Sequence, residues 1–265
     1  MSRPDPLPSP EYFTASDGTR LAYRELGAGR PVLLVHGFFS SGTANWIGNG
    51  HAAALVAAGH RVVVPDLRGH GRSATPTDLA AYPPDVLVDD LVVLLDHLGL
   101  AGDDDLAAAG YSLGARTVAR LLLRGVPVRR AVLGGQGLGA LTHVAGSART
   151  SVARHVLSDA AGGDRTPVQR WFAQQWRRKD EATRAALRAL LASSVSTPAD
   201  ELRTITVPTL VLTGSDDDVA DARDLATTLP RAAVVEVPGD HVTAAGRPEV
   251  ADALVNFLDG DGGPR

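Results

Sequence analysis

The segment 105–116, Asp-Leu-Ala-Ala-Ala-Gly-Tyr-Ser-Leu-Gly-Ala-Arg, constrains the fold of this chain more than any other stretch. An apolar run ends in Gly110, Ser112 stands between Gly110 and Gly114, and a helix-forming run over 113–123 follows at once. Read in order, this is strand, sharp turn, helix. Such a turn strains the backbone at Ser112 and projects its Oγ above the strand, and glycines two residues to either side remove side chains that would clash there. The serine also stands at the start of the next helix, where unpaired N–H groups and the helix dipole favour a developing negative charge. With 28 glycines in 265 residues, the pattern Gly-x-Ser-x-Gly carries weight only if the rest of the chain supplies partners for the serine.

The remaining chain alternates strands and helices. Runs at 12–15 and 20–25 flank Asp17-Gly18 and read as a hairpin. The apolar runs at 31–36 and 61–65 read as strands buried on both faces, 209–213 resumes that buried-strand pattern, and 130–134 and 233–237 read as further strands. Helices are expected over 52–58, over 85–98 with Val88, Leu91, Leu95 and Leu98 on one face, over 219–229, and over 248–258 where Pro248 opens the helix. This alternation predicts an α/β fold, a mostly parallel eight-stranded sheet flanked by helices.

Between 136 and 204 the alternation stops. Helix-like segments at 144–159, 167–178 and 181–193 replace it, with Trp171, Phe172 and Trp176 close together. We read 136–204 as a helical cap over the carboxyl edge of the sheet, inserted into a core made of 11–135 and 205–260. Residues 1–10, with Pro4, Pro6, Pro8 and Pro10, read as a flexible leader rather than a signal peptide, and 261–265 as a flexible tail.

Composition narrows the function. A formal charge of −4 offers no basic field for nucleic acid, and Lys179 is the only lysine. The chain contains no cysteine, hence no disulfide, thiolate metal site or thiol nucleophile. No run approaches the roughly eighteen apolar residues of a membrane span. The expectation is a cytoplasmic protein acting on a small molecule, with no nucleic-acid or membrane partner and an oligomeric state left open.

A serine hydroxyl becomes a nucleophile near neutral pH only beside a general base, and that base needs an acceptor to fix its tautomer. Candidate acids Asp216, Asp217 and Asp218 follow one expected strand, and His241 follows the next, in Pro238-Gly239-Asp240-His241. Parallel strands bring such residues to one edge of the sheet, in the order Ser, Asp, His.

With these segments the chain resembles the α/β-hydrolase fold superfamily, in particular its serine-nucleophile, esterase- and lipase-like members, over about 12–258. His36-Gly37-Phe38, the run from Asp66 to Ser73, Gly110 to Gly114, the acid after Gly214 and the segment ending in His241 carry the likeness. The resemblance implies Ser112 as nucleophile, His241 as base and, by the family's usual spacing, Asp217 as acid, with Asp216 and Asp218 one residue away. It also implies an oxyanion hole from the backbone N–H groups of Phe38 and Leu113, with no cofactor and no metal. Phe39, Tyr111, Leu138 and Trp171 are the expected substrate-lining residues. His36, His70 and Asp66 are assigned to loop structure, and the other histidines are dispersed without ligand spacing. Gly135-Gln136-Gly137-Leu138-Gly139 lacks the full Gly-x-Gly-x-x-Gly of a nucleotide loop.

The implied activity is cleavage of an ester or related acyl bond in a small, largely apolar substrate through an acyl-enzyme. Carbon–carbon bond hydrolysis and cofactor-free perhydrolysis are alternatives on the same triad; for the former, Val242 stands where those relatives often carry tryptophan. Epoxide hydrolases and haloalkane dehalogenases use an aspartate where this chain has Ser112. A small-molecule receptor or scaffold with a weak triad is the alternative from another class.

Overall fold

The computed structural model of the chain describes residues 7–143 and 166–260. The helix expected over 144–159, the tail at 261–265 and residues 1–6 of the leader lie outside the described residues.

Strands β1 (Glu11–Thr14), β2 (Arg20–Leu26), β3 (Arg30–Val35), β4 (His60–Pro65), β5 (Ala107–Tyr111), β6 (Arg130–Gly134), β7 (Thr209–Gly214) and β8 (Ala232–Val237) form one eight-stranded sheet. Their spatial order is β1-β2-β4-β3-β5-β6-β7-β8. The hairpin β1–β2 and the β2–β4 pair are antiparallel, and every other pairing is parallel. The helices are α1 (His51–Ala57), α2 (Val86–His97), α3 (Leu113–Leu123), α4 (Leu138–Thr142), α5 (Pro167–Arg177), α6 (Glu181–Ala192), α7 (Ala199–Leu202), α8 (Val219–Thr228) and α9 (Pro248–Asp259).

The unbroken apolar run of β3 follows from burial on both faces. Leu33 and Val35 face one core layer with Leu91, Leu94 and Leu95 of α2 and Val118 and Leu121 of α3. Val32 and Leu34, one residue out of phase, face the other layer with Leu55 of α1 and Val250, Leu254 and Leu258 of α9.

β5 is built from small residues because α3 doubles back directly above it. A Cβ on Gly110 would lie 2.2 Å from the Gly114 carbonyl oxygen, and one on Gly114 would lie 2.0 Å from the Val35 carbonyl oxygen. The two glycines therefore let strand and helix backbones touch. The strained residue of the turn is Ser112 itself, at φ +53° and ψ −112°.

The segment between β6 and β7 is joined to the core by side chains. Arg116 of α3, 7% exposed, has no carboxylate among its hydrogen-bond partners in the described residues. It donates to the carbonyls of Ala140, His143 (2.7 Å) and Leu141 (3.4 Å) at the end of α4, and to Val195 O (2.9 Å) after α6. The negative end of α4 supplies the compensating field. Burial, with Arg120 nearby, still brings the guanidinium down to about 10. Thr197 N donates to Leu141 O at 2.9 Å and ties the same two stretches directly.

α5 opens with Pro167 and a capping box between Thr166 and Gln169, and α6 opens on Asp180, whose carboxylate accepts from Thr183 N. Phe172 and Trp176, four residues apart, bury one face of α5. α4, α7 and a π-helical turn at Thr43–Ile47 have no counterpart in the sequence reading. Each is too short to display a hydrophobic period. No helix among the described residues is long and apolar enough to cross a membrane.

Candidate active site

Three turns at the carboxyl ends of β5, β7 and β8 meet above the sheet. The first carries Ser112, whose N–H is fixed to Gly134 O at 2.7 Å and whose carbonyl accepts from Arg116 N. The third carries His241. Asp240 braces that loop by accepting from Val242 N and Thr243 N at 3.0 and 2.8 Å, and the Tyr111 hydroxyl donates to His241 O at 2.8 Å. The imidazole Nε2 then lies 3.0 Å from Ser112 Oγ, and Nδ1 lies 2.9 Å from Asp217 Oδ2.

The three consecutive acids separate by partner. Asp218 caps α8, accepting from Asp221 N at 3.0 Å, and exposed Asp216 meets only Ser215 Oγ through its side chain. Asp217 alone reaches the imidazole. Burial pushes its carboxyl up, but the hydrogen bond and charge of His241 outweigh that and hold it below the usual carboxylate value. A carboxylate there favours the Nδ1–H tautomer, which leaves Nε2 as the lone pair facing Ser112.

Leu113 N, next to the serine, is the first N–H of α3 and has no helical partner. The loop after β3 comes close to the serine, since a Cβ on Gly37 would lie 3.4 Å from Ser112 Cβ, and Phe38 N belongs to the peptide unit that follows. Gly37 O is held by the His36 Nδ1–H at 2.8 Å and by Ser40 N at 3.2 Å, and in a trans peptide the N–H points the opposite way. His36 Nε2 accepts from Leu67 N at 2.9 Å, so its tautomer is fixed as well. Burial drives His36 down to about 4, and burial with the neighbouring His36 drives His70 down to about 3. Both rings support the loop, His36 against His70 and His70 against Phe38. Asp66 accepts from Gly42 N and Arg72 N, each at 2.8 Å, and closes the neighbouring loop.

The expected lining residues separate in space. Phe39, half-buried, holds the left-handed φ of +62° and sets its ring 6.0 Å from Phe172 and 6.3 Å from Trp176. Tyr111 is 4% exposed and lies under His241, as a brace more than a wall. Leu138 is half-buried on α4 against the core. Trp171 is half-buried and meets Phe172 edge-on at 5.1 Å. From the helices between β6 and β7 the ring that reaches His241, at 6.2 Å, is Phe172, beside the nearer Tyr111 at 5.7 Å; the sequence placed Phe172 in the aromatic cluster but not at the site. A turn of α5 by one residue, about 100°, separates the two choices, and local composition does not fix it.

The glycine-rich turn 135–139 holds an anion supplied by the chain itself. Gly139 N donates to Asp221 Oδ1 at 2.7 Å, and a Cβ on Gly137 would lie 2.2 Å from Asp221 Oδ2. Asp221 thus ties the turn after β6 to α8, directly behind Asp217. Among the described residues, no group of three or more His, Asp or Glu is placed to hold a metal ion.

Comparison with known proteins agrees with this architecture. The profile described as "Alpha/beta hydrolase family" matches residues 32–253. The chain is 32% identical to a non-heme haloperoxidase of Rhodococcus erythropolis, covering 86% of this chain and 91% of that protein. A shorter stretch, 34% of this chain and 27% of the relative, is 40% identical to an epoxide hydrolase of Caballeronia sordidicola. Among solved structures, a thermophilic esterase of Thermogutta terrifontis superposes with a TM-score of 0.70 at 25% identity, covering 95% of this chain and 98% of that one. On its sheet order, its strained serine turn and this matched span, the chain belongs to the alpha/beta hydrolase family.

Proposed function

We propose that the protein is a serine hydrolase that cleaves an ester or related acyl bond of a small, largely apolar substrate. The observation that carries this reading is the relay of 3.0 Å from Ser112 Oγ to His241 Nε2 and 2.9 Å from Nδ1 to Asp217. Ser112 attacks the carbonyl carbon while His241 Nε2 takes its proton, and Asp217 stabilises the imidazolium. The Phe38 and Leu113 N–H groups receive the oxyanion, a contribution on the order of 10²–10³ in rate per donor. Collapse of the tetrahedral intermediate returns the proton to the leaving oxygen, and water, activated by the same imidazole, releases the acid. Each step uses only side chains and backbone of this chain, so the reaction calls for no metal or coenzyme.

A second outcome on the same acyl-enzyme is supported by the likeness to a non-heme haloperoxidase. Hydrogen peroxide in place of water would attack the acyl-enzyme and leave as a peracid, with Ser112 regenerated. Hydrolysis of p-nitrophenyl esters of increasing acyl length, by wild type and by S112A, tests the proposal. The expected result is short-to-medium acyl preference in the wild type and loss of turnover in S112A. Equal rates from both proteins would remove Ser112 from the mechanism. Adding peroxide to the same assay, with peracid as the readout, assigns the second outcome.

A further inference from the structure

Aromatic residues make up only 5% of the chain, yet several of them form one continuous wall that ends on His241. Phe38 and Phe39 meet at 4.5 Å, Phe39 meets Phe172 at 6.0 Å, and Phe172 meets His241 at 6.2 Å with an interplanar angle of 46°. Trp171 closes on Phe172 edge-on, and Trp176 stands behind Phe39. Phe172 itself is 4% exposed, whereas Phe39, Trp171 and His241 around it are half-buried. Phe172 thus packs behind three less buried neighbours, touching the ring of each. Phe39 sits in a left-handed backbone that a bulky residue holds only where its surroundings force it, a kind of strain that gathers at ligand-binding positions.

The chemistry tells which half of an ester meets this wall. The acyl carbon remains on Ser112 Oγ, next to the Phe38 and Leu113 amides. The leaving oxygen must take its proton from His241 Nε2. Of the two rings on the imidazole, Tyr111 at 5.7 Å lies under the loop with its hydroxyl on His241 O, so the ring left to stand beside the alcohol half is Phe172. Phe39 and Phe172 carry no polar side-chain atom, so they discriminate by apolar area and by the geometry of ring contact. Resting on the acyl-transfer reading above, we propose that Phe172, with Phe39, is the specificity-determining contact for the alcohol half, and that it selects esters of small aromatic alcohols.

The test compares kcat/KM for 2-phenylethyl acetate and 2-cyclohexylethyl acetate, whose alcohols match closely in size and acidity, with ethyl acetate as a ring-free reference. The wild type prefers the phenyl ester by about five-fold, the size of a favourable ring contact. F172L brings the ratio close to one, and F172Y, which keeps the ring, restores it. A packing role alone would lower both rates and leave the ratio in place. A wild-type ratio of one, or a ratio unchanged in F172L, overturns the inference while ethyl acetate turnover leaves the acyl-transfer reading standing. If the wild type turns over none of the three esters but hydrolyses p-nitrophenyl esters, the inference falls alone; if it hydrolyses neither set, both fall.

Discussion

The rim of the sheet and the helices above it are built by different means. At the rim, Ser112, Asp217 and His241 stand on turns whose backbone groups are tied to neighbouring strands and loops, and the side chains meet through hydrogen bonds of 2.9 and 3.0 Å. Above it, α5 reaches the core through ring contacts near 6 Å and α6 through Leu187, Leu190 and Leu191, while Arg116 ties down the stretches on either side of them, ending α4 and following α6. Backbone ties fix a geometry to within a fraction of an ångström, which bond making demands. Side-chain packing fixes a shape that substitution can alter while the backbone stays in place. On the proposed reading, chemistry and selectivity are carried by separable parts.

If that separation holds, the largest losses come from the rim. In D217N the ring tautomer loses its anchor, and kcat for an activated ester should fall on the order of 10²–10⁴-fold with little change in KM. D216N and D218N should stay within a few-fold of wild type, since neither carboxylate touches the imidazole. Equal losses at all three positions would mean that the loop, rather than one carboxylate, matters.

The foundation of the rim should fail in acid. His36 and His70 have folded-state values lowered to about 4 and about 3, against a reference of 6.5. The unfolded chain binds their protons first, so their contribution is complete above pH 6.5 and is lost as pH falls from 6.5 toward 4. Each contributes a slope approaching about 1.4 kcal/mol per pH unit in that window. Urea melts at pH 7 and pH 5 measure it, and H70Q should make the curve shallower.

Arg116 probes the junction between the two regions. R116M removes the donor shared by the half-buried Ala140, His143 and Val195 carbonyls, and should cost about 2–4 kcal/mol of stability. R116K, which keeps a charge but reaches fewer carbonyls, should fall between wild type and R116M in thermal melts. The smallest effect belongs to the upper wall, where F172L alters a ratio between two esters more than any absolute rate.

The same division explains what the sequence made legible. The run Val32 to Val35 reads as a doubly buried strand because its alternate residues enter two core layers. The turn at Ser112 reads from its glycines, since Gly110 and Gly114 leave no room for a Cβ. Residue types narrowed the acid to three consecutive aspartates, and family spacing pointed to Asp217. The division of labour among them is a tertiary fact, set by the capping of α8 and the reach of His241. Tyr111 was among the expected substrate-lining residues, and its hydroxyl finds His241 O under the loop. Trp171 and Phe172 differ only in which way α5 is rotated, and the packing of Phe39 against that helix decides it. The role of Asp221 was invisible because a glycine-rich turn and a carboxylate 82 residues away give no local signal of meeting.

Whether Ser112 is an activated nucleophile can be read without knowing the substrate. The protein is treated with a fluorophosphonate, digested, and the adduct is located by mass spectrometry. The geometry predicts one phosphonylated serine, Ser112, with labelling abolished in S112A and slowed by orders of magnitude in H241A. An unlabelled wild-type protein, or labelling that persists undiminished in S112A, would contradict it.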